Sequence, residues 1–198
     1  ARCVDREMLT ALGSLATQQA NPTTATLSKV KQFLDYAATH PDAIVTYQAS
    51  NMVLAAHSDA SYLSESNARS RAGGHFFMSS DVPCPPNNGA ILTIAQIIKA
   101  VMSSAAEAEV GALYINCREA VPARQTLEFL GHAQPPTPIQ TDNTTALGVV
   151  NNNVMKKLKA MDMKFHWLRD RINQKQFRHY WAPGSDNKGN YVTKHHPP

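Results

Sequence analysis

Four positions in this chain carry oxygen-bearing side chains of the kind that bind hard cations, each in a different local setting. Asp59 ends the strand-like run Val53-Leu54-Ala55-Ala56-His57-Ser58-Asp59. Glu109 lies in the helical run Ser103-Ser104-Ala105-Ala106-Glu107-Ala108-Glu109, and Asp142 closes Pro138-Ile139-Gln140-Thr141-Asp142. Asn190, in Asn187-Lys188-Gly189-Asn190-Tyr191-Val192-Thr193-Lys194, offers an amide oxygen. Carboxylates on separate elements that converge can hold two hard cations about 3.5–4 Å apart, the arrangement used to cut phosphodiesters by in-line attack.

Local physics assigns some of these residues. Side chains alternate along a strand, so Asp59 shares a face with Val53, Ala55 and His57, and an acid on a mostly apolar face marks either the end of the core or a site. Glu107 and Glu109 compete for one role. Ser104-Ala105-Ala106-Glu107 has capping-box spacing, in which the Ser104 hydroxyl accepts from the Glu107 amide and Glu107 reaches back to the Ser104 amide. Glu109 falls beside Ala106, Val110 and Leu113, at the edge of the face that packs on a sheet, which leaves it as the candidate ligand. Asp142 ends a short strand where Asn143 or Thr144 can cap the next helix; it can serve as a capping acid or as a ligand at the carboxyl end of a strand.

The order of these motifs resembles the ribonuclease H end of copia-type LTR retrotransposon polyproteins. The likeness rests on Ser58-Asp59-Ala60-Ser61-Tyr62, the segment from Arg69 that ends Gly73-Gly74-His75-Phe76-Phe77, Ser103-Ser104 leading into Glu107-Ala108-Glu109, and Thr141-Asp142-Asn143. It continues through Met161-Asp162-Met163-Lys164-Phe165-His166-Trp167-Leu168-Arg169 and the closing Thr193-Lys194. The resemblance implies that Asp59, Glu109 and Asp142 hold two Mg²⁺ ions, with Mn²⁺ able to substitute, and that Asn190 stands where the family has a fourth aspartate. The amide keeps the shape and one oxygen but removes a negative charge. Val110 departs from the tyrosine usual in the family. The implied activity is hydrolysis of the RNA strand of RNA/DNA hybrids, weakened here by Asn190. The alternative is a catalytically inactive module that binds hybrid or supports polyprotein assembly. A transposase or integrase fits less well, since such proteins place the glutamate last among their acids.

The same resemblance places RNA-strand contacts at the backbone of Ala60 and Ser61 and at the Asn143 side chain, reading 2′-hydroxyls and helix shape. Arg69 and Arg71, read as lying in a polar turn, are candidates for phosphate contact. So are Lys156, Lys157 and Lys159, which open a basic stretch continuing through Lys164, Arg169, Arg171, Lys175 and Arg178 against only Asp162 and Asp170. The plain alternative for that stretch is a solvated helix face. No histidine stands in Trp181-Ala182-Pro183-Gly184-Ser185-Asp186, where cellular ribonucleases H carry a histidine loop. His57, His75, His166 and His179 read as packing or hydrogen-bonding residues, and no paired-cysteine zinc spacing occurs.

Composition accommodates this reading. At 198 residues the chain can bury one substantial core plus an appendage, and its 17% charged fraction is ordinary for a globular protein. No apolar run approaches the roughly 20 residues of a membrane span, and no leader pattern is visible. Three widely spaced cysteines, Cys3, Cys84 and Cys117, fit a reducing compartment better than a disulfide framework. The resemblance implies an intracellular, cytoplasmic setting in a virus-like particle, with the rest of a reverse transcriptase polyprotein as partner.

The elements that must position the acids follow from periodicity. Leu27, Val30, Leu34 and Ala37 predict a helix over 28–39 that can pack on a neighbour, with Pro41 beyond it. Short β-like runs follow at 44–47, 52–59, 75–80 and 90–95, linked closely enough to predict three or four antiparallel strands. Next come a helix over 104–120 stopped by Pro122, a strand over 139–142, a short helix to Asn151, a helix over 161–174 and a strand over 177–182. Strands followed by β–α alternation predict an α/β fold with a mixed sheet flanked by helices, and the resemblance implies a ribonuclease H-like sheet of five strands. The resemblance implies that residues 1–43 are a helical remnant of the reverse transcriptase connection and 44–198 the ribonuclease H-like domain.

Overall fold

The computed structural model describes residues 5–151 and 162–194. Its centre is a five-stranded sheet ordered β3-β2-β1-β4-β5. Strands β1 (Val53–Glu65), β2 (Arg69–Ser79) and β3 (Ala90–Ile98) form an antiparallel meander. The three-residue turn Ser66–Ala68 between β1 and β2 is too short for any connection but a hairpin. Strand β4 (Thr137–Thr141) is reached through a long helix and pairs parallel to β1; β5 (Phe177–Trp181) returns through two further helices and pairs parallel to β4. The mixed five-stranded sheet with flanking helices is the architecture expected.

The main core lies on one face of the sheet. Leu54 and Ala56 of β1, Ala72 and Phe76 of β2, and Ile94 and Ile98 of β3 meet Ala108, Ala112 and Leu113 of α3 (Ala105–Phe129); here α1 is Leu9–Ala16 and α2 is Thr24–Thr39. Small residues one turn apart on α3 bring that helix close to the strands, within reach of Asn116, whose amide donates to Ser58 Oγ (2.8 Å) and to the Gly73 carbonyl (2.9 Å). Helices α4 (Thr144–Asn151) and α5 (Asp162–Asn173) complete this layer with buried Ala146, Val150, Phe165 and Leu168.

The other face is covered by both ends of the chain. A 3-10 turn, Lys188–Val192, lies across His57, Asp59 and Gly73, and α1 locks onto it through the Thr10 hydroxyl, which donates to the Val192 carbonyl at 2.8 Å. Gly13 of α1 stands over Arg71, whose terminal nitrogen would be 3.0 Å from an added Cβ. Contacts therefore cross the expected boundary at residue 43.

Several elements differ from expectation. Residues 44–47 form no strand; Tyr47 and Gln48 are held to the start of β3 by Tyr47 Oη to the Ala90 carbonyl and by two bonds with the Asn88 side chain, so side chains replace a backbone ladder. Helix α2 begins at Thr24, four residues early, because Thr23 and Thr26 cap it reciprocally, while Leu27 and Leu34 stay largely exposed. Helix α3 runs through Pro122 to Phe129. A proline costs one amide donor and a clash a turn back, and here buried Ala120 and Leu127 and the clamp of Arg124 on the Gln134 carbonyl (3.0 Å), the Pro135 carbonyl (2.5 Å) and Thr137 Oγ1 (2.7 Å) offset it. Met161, expected to open α5, lies outside the described residues.

Candidate metal centre

Three elements bring the acids together. Asp59 is near the middle of β1, paired with Gly73; Glu109 is on the first turns of α3; Asp142 follows the last residue of β4. One carboxylate oxygen from each lies within 4.8 Å of the others. Parallel pairing of β1 with β4 sets the two aspartates side by side, and the close packing of α3 on β1 delivers Glu109 over them. Asp59 and Glu109 are buried and Asp142 half-buried.

Burial controls their electrostatics. Desolvation pushes the Asp59 carboxyl up to about 6, with the nearby Asp142 charge adding and the Thr193 hydroxyl opposing. Desolvation, followed by repulsion from Asp59 and Asp142, pushes Glu109 up to about 9. Glu109 Oε1 accepts the Ala60 amide at 3.2 Å, whereas Oε2 is buried without a hydrogen-bond partner. A buried carboxyl oxygen without a partner is costly, more so once ionised beside two other acids, and a bound cation would relieve that cost. The donor set, all oxygen, suits Mg²⁺ or Mn²⁺.

The fourth position arrives from the C-terminal turn. A Cβ on Gly184 would stand 2.6 Å from Asp142 Oδ2 and 3.3 Å from Asn190 Nδ2, so both side chains crowd one side of that glycine. The Asn190 amide donates to the Gly184 carbonyl at 2.6 Å. Segment 187–193 is docked on β1: Asn187 donates to the Ser58 carbonyl (2.8 Å), the Lys188 amide to His57 Nδ1 (3.1 Å), and the Thr193 hydroxyl to Asp59 Oδ2. Burial keeps His57 near 3 and so neutral at neutral pH, able to accept that amide. Asn187 and Thr193 are not among the candidate site residues of the sequence; both signal only as members of the closing Asn187-to-Lys194 motif.

Glu107 needs a correction. The Ser104 hydroxyl accepts from the Glu107 amide at 3.2 Å as expected, yet Glu107 Oε2 takes the amide and hydroxyl of Ser103, both at 2.7 Å, and not the Ser104 amide. Reaching one residue further back satisfies two donors with one oxygen. Glu107 is buried in this role and stays apart from the three converging acids.

The candidate nucleic-acid residues divide. Arg71 is fully buried and cannot meet a phosphate: β2 begins at Arg69, so the expected turn is strand, and Arg71 points beneath α1 with Nε 2.7 Å from Glu65 Oε1. Arg69 is half-buried at the strand start. The Ala60 amide is occupied by Glu109, the Ser61 and Ser64 hydroxyls share a hydrogen bond (2.6 Å), and Asn143 Oδ1 caps α4 by accepting the Ala146 amide at 2.9 Å. Lys156, Lys157 and Lys159 lie outside the described residues. Of the remaining basic stretch, Lys164, Arg169 and Arg171 lie over the rings of Tyr114, Phe165 and Trp167, and Arg178 donates to the Pro83 carbonyl (2.9 Å) and the Val82 carbonyl. These four cations are packed against protein groups, while Lys175 stands exposed.

No family model matches the chain. Over 193 residues it is 22% identical to the Retrovirus-related Pol polyprotein from transposon TNT 1-94 of Nicotiana tabacum, covering 97% of this chain and 14% of that protein. Among solved structures it is similar to LC11-RNase H1, isolated from compost (TM-score 0.54, 10% identity, 71% of this chain and 92% of that one). It is also similar to the N-terminal RNase H domain of Rv2228c from Mycobacterium tuberculosis (TM-score 0.51, 13% identity, 72% and 91%). A further structure, LC11-RNase H1 in complex with RNA/DNA hybrid, aligns at TM-score 0.51 and 10% identity over 68% of this chain and 88% of that one. The chain has the ribonuclease H fold and resembles a short part of a retrotransposon polyprotein.

Proposed function

We propose that this chain is a divalent-metal-dependent ribonuclease H that acts on the RNA strand of RNA/DNA hybrids within a retrotransposon reverse transcriptase. The observation that carries the proposal is the convergence of Asp59, Glu109 and Asp142 from three elements, with a buried oxygen of Glu109 left without a partner. Asp59, Glu109 and Asp142 would hold Mg²⁺, with Asn190 as a neutral fourth oxygen. When bound, divalent cations supply Lewis acidity toward the phosphodiester and its attacking water. The protein's own contribution is to hold three carboxylates at short range on rigid elements and to shield them from solvent. A similar protein crystallised with RNA/DNA hybrid supports the choice of substrate. Residues 1–43 are proposed as the end of the preceding reverse transcriptase part, and the polyprotein remainder as partner.

Asn190 favours a second reading, a hybrid-binding module with little turnover. Its amide donates to the Gly184 carbonyl, a bond that a carboxylate would forfeit, so the loop is held here without help from a cation. Single-turnover cleavage of a labelled hybrid by this chain and by Asn190→Asp, at equal saturation in Mg²⁺, tests both. The expected result is slow RNA cleavage by the chain as it stands and a rise of at least about tenfold in the aspartate variant, equivalent to about 1.4 kcal/mol of barrier. No cleavage by either protein while saturated with hybrid favours the binding module; equal rates remove Asn190 from the metal site.

A further inference from the structure

Beside the three acids stands a buried residue to which no role has been given. Thr193 is 1% exposed, and its hydroxyl lies against Asp59 Oδ2 and, at 3.0 Å, against the carbonyl of Asn190. A threonine hydroxyl has a single proton, and with Asp59 ionised that proton goes to the carboxylate, the stronger acceptor. One oxygen of Asp59 is thereby fixed, which orients the other. Asn190 is the turn residue whose side chain reaches Gly184 beside Asp142. Thr193 thus contacts one acid directly and, through the turn, the residue facing another.

The methyl group does separate work. An added Cβ on Gly73 would be 2.5 Å from Thr193 Cγ2, so the methyl sits directly on the strand that pairs with Asp59. Nearby, an added Cβ on Gly189 would be 3.2 Å from both the Cβ and the amide nitrogen of Asp59. Two glycines, on β2 and in the 3-10 turn, therefore let the turn approach the sheet closely enough for the hydroxyl to reach Asp59. This packing fixes the turn; the hydroxyl then determines which way the carboxylate faces.

We infer that Thr193 is a positioning residue of the metal centre, its hydroxyl presenting the Asp59 carboxylate to a divalent cation and linking that carboxylate to the turn that carries Asn190. The inference rests on the proposed metal site. Residues that hydrogen-bond to a ligating side chain typically contribute about 10–100-fold in metal affinity, which sets the size of the effect to look for.

The test uses the full chain without nucleic acid. Mn²⁺ affinity is measured by calorimetry, and the melting temperature with and without Mn²⁺, for the unaltered protein, Thr193→Val and Thr193→Ser. Valine keeps the shape and the methyl while deleting the hydroxyl; serine does the reverse. The expected outcome is Mn²⁺ binding weakened at least about tenfold in Thr193→Val, with a smaller Mn²⁺-induced rise in melting temperature. Thr193→Ser should lose metal-free stability but bind Mn²⁺ within about threefold of the unaltered protein. Unchanged Mn²⁺ affinity in a folded Thr193→Val, or a tenfold loss in Thr193→Ser, overturns the inference while leaving the metal site in place. If valine prevents folding, Thr193→Ala takes its place: Mn²⁺ affinity lost in Thr193→Ala and kept in Thr193→Ser supports the role of the hydroxyl, and affinity kept in both overturns it. Absence of Mn²⁺ binding by the unaltered chain overturns the metal-site reading and this inference with it.

Discussion

Glutamine at position 109 separates what the side chain's charge does from what its shape does. Glu109 is buried, is held well above the ordinary carboxylate range, and has one oxygen unpaired, so its ionised form is a liability in the metal-free protein. Glu109→Gln should raise the melting temperature of the metal-free chain at pH 8 and abolish its stabilisation by Mg²⁺. Glu107 is the matched control. It satisfies two Ser103 donors at the start of α3, so Glu107→Ala should cost about 1–3 kcal/mol while leaving Mg²⁺ stabilisation intact. Thermal melts of both variants with and without Mg²⁺ check the pair. Stabilisation by Mg²⁺ that survives in Glu109→Gln and vanishes in Glu107→Ala would reverse the assignment.

For the secondary elements, the decisive contact is that between β2 and the C-terminal 3-10 turn. Gly73 has no room for a side chain: an added Cβ would stand 2.5 Å from Thr193 Cγ2 and 2.6 Å from the Gly189 carbonyl oxygen, a backbone atom that cannot rotate away. Gly73→Ala should therefore lift the turn from the sheet, at a cost of about 1–3 kcal/mol for overpacking. Because the same turn carries Thr193 and Asn190, this variant should also lose stabilisation by Mg²⁺, although Gly73 bears no ligand atom. Urea titrations with and without Mg²⁺ measure both effects. A destabilised protein that keeps its full metal response would mean that the turn and the acids are independent.

Across the whole molecule, buried titratable groups on both faces of the sheet shape the dependence of stability on pH. Glu109, raised from 4.5 to about 9, keeps a proton in the folded state that the unfolded chain has lost, so its contribution is present below about 4.5 and is lost as pH rises through 9. Asp59, raised from 3.8 to about 6, acts in the same sense over a lower range. His57 and His75 act oppositely: burial lowers them to about 3 and about 4, so stability falls as pH drops below 6.5 and the unfolded chain takes up protons. Between pH 6.5 and 9 the glutamate acts with little opposition from the histidines. The metal-free chain should therefore lose stability across that interval, and saturating Mg²⁺ should flatten the loss by holding the carboxylates ionised. Urea midpoints at pH 6.5, 7.5 and 9 check this; a metal-free midpoint that rises with pH would contradict the electrostatics of the site.

Much of the site was legible in the chain itself. Local pattern leaves Asp59 readable as the end of the core and Asp142 as a capping acid, and separates only Glu109 from Glu107; the order of the motifs, resembling a ribonuclease H, is what marks all three acids together. Periodicity and link lengths give a mixed sheet flanked by helices, and the resemblance gives its five strands. What the tertiary structure alone decided depends on groups far apart in sequence. Arg71 reads as a surface cation until α1, through Gly13, closes over it, and Thr193 acquires its role from Asp59, 134 residues away. Residues 44–47 carry a strand-like pattern but find side-chain bonds in place of a ladder, and α3 continues past Pro122 because Arg124 is anchored on the segment that leads into β4. Propensity acts along the chain, whereas burial and hydrogen-bond partnership are settled only when distant segments meet.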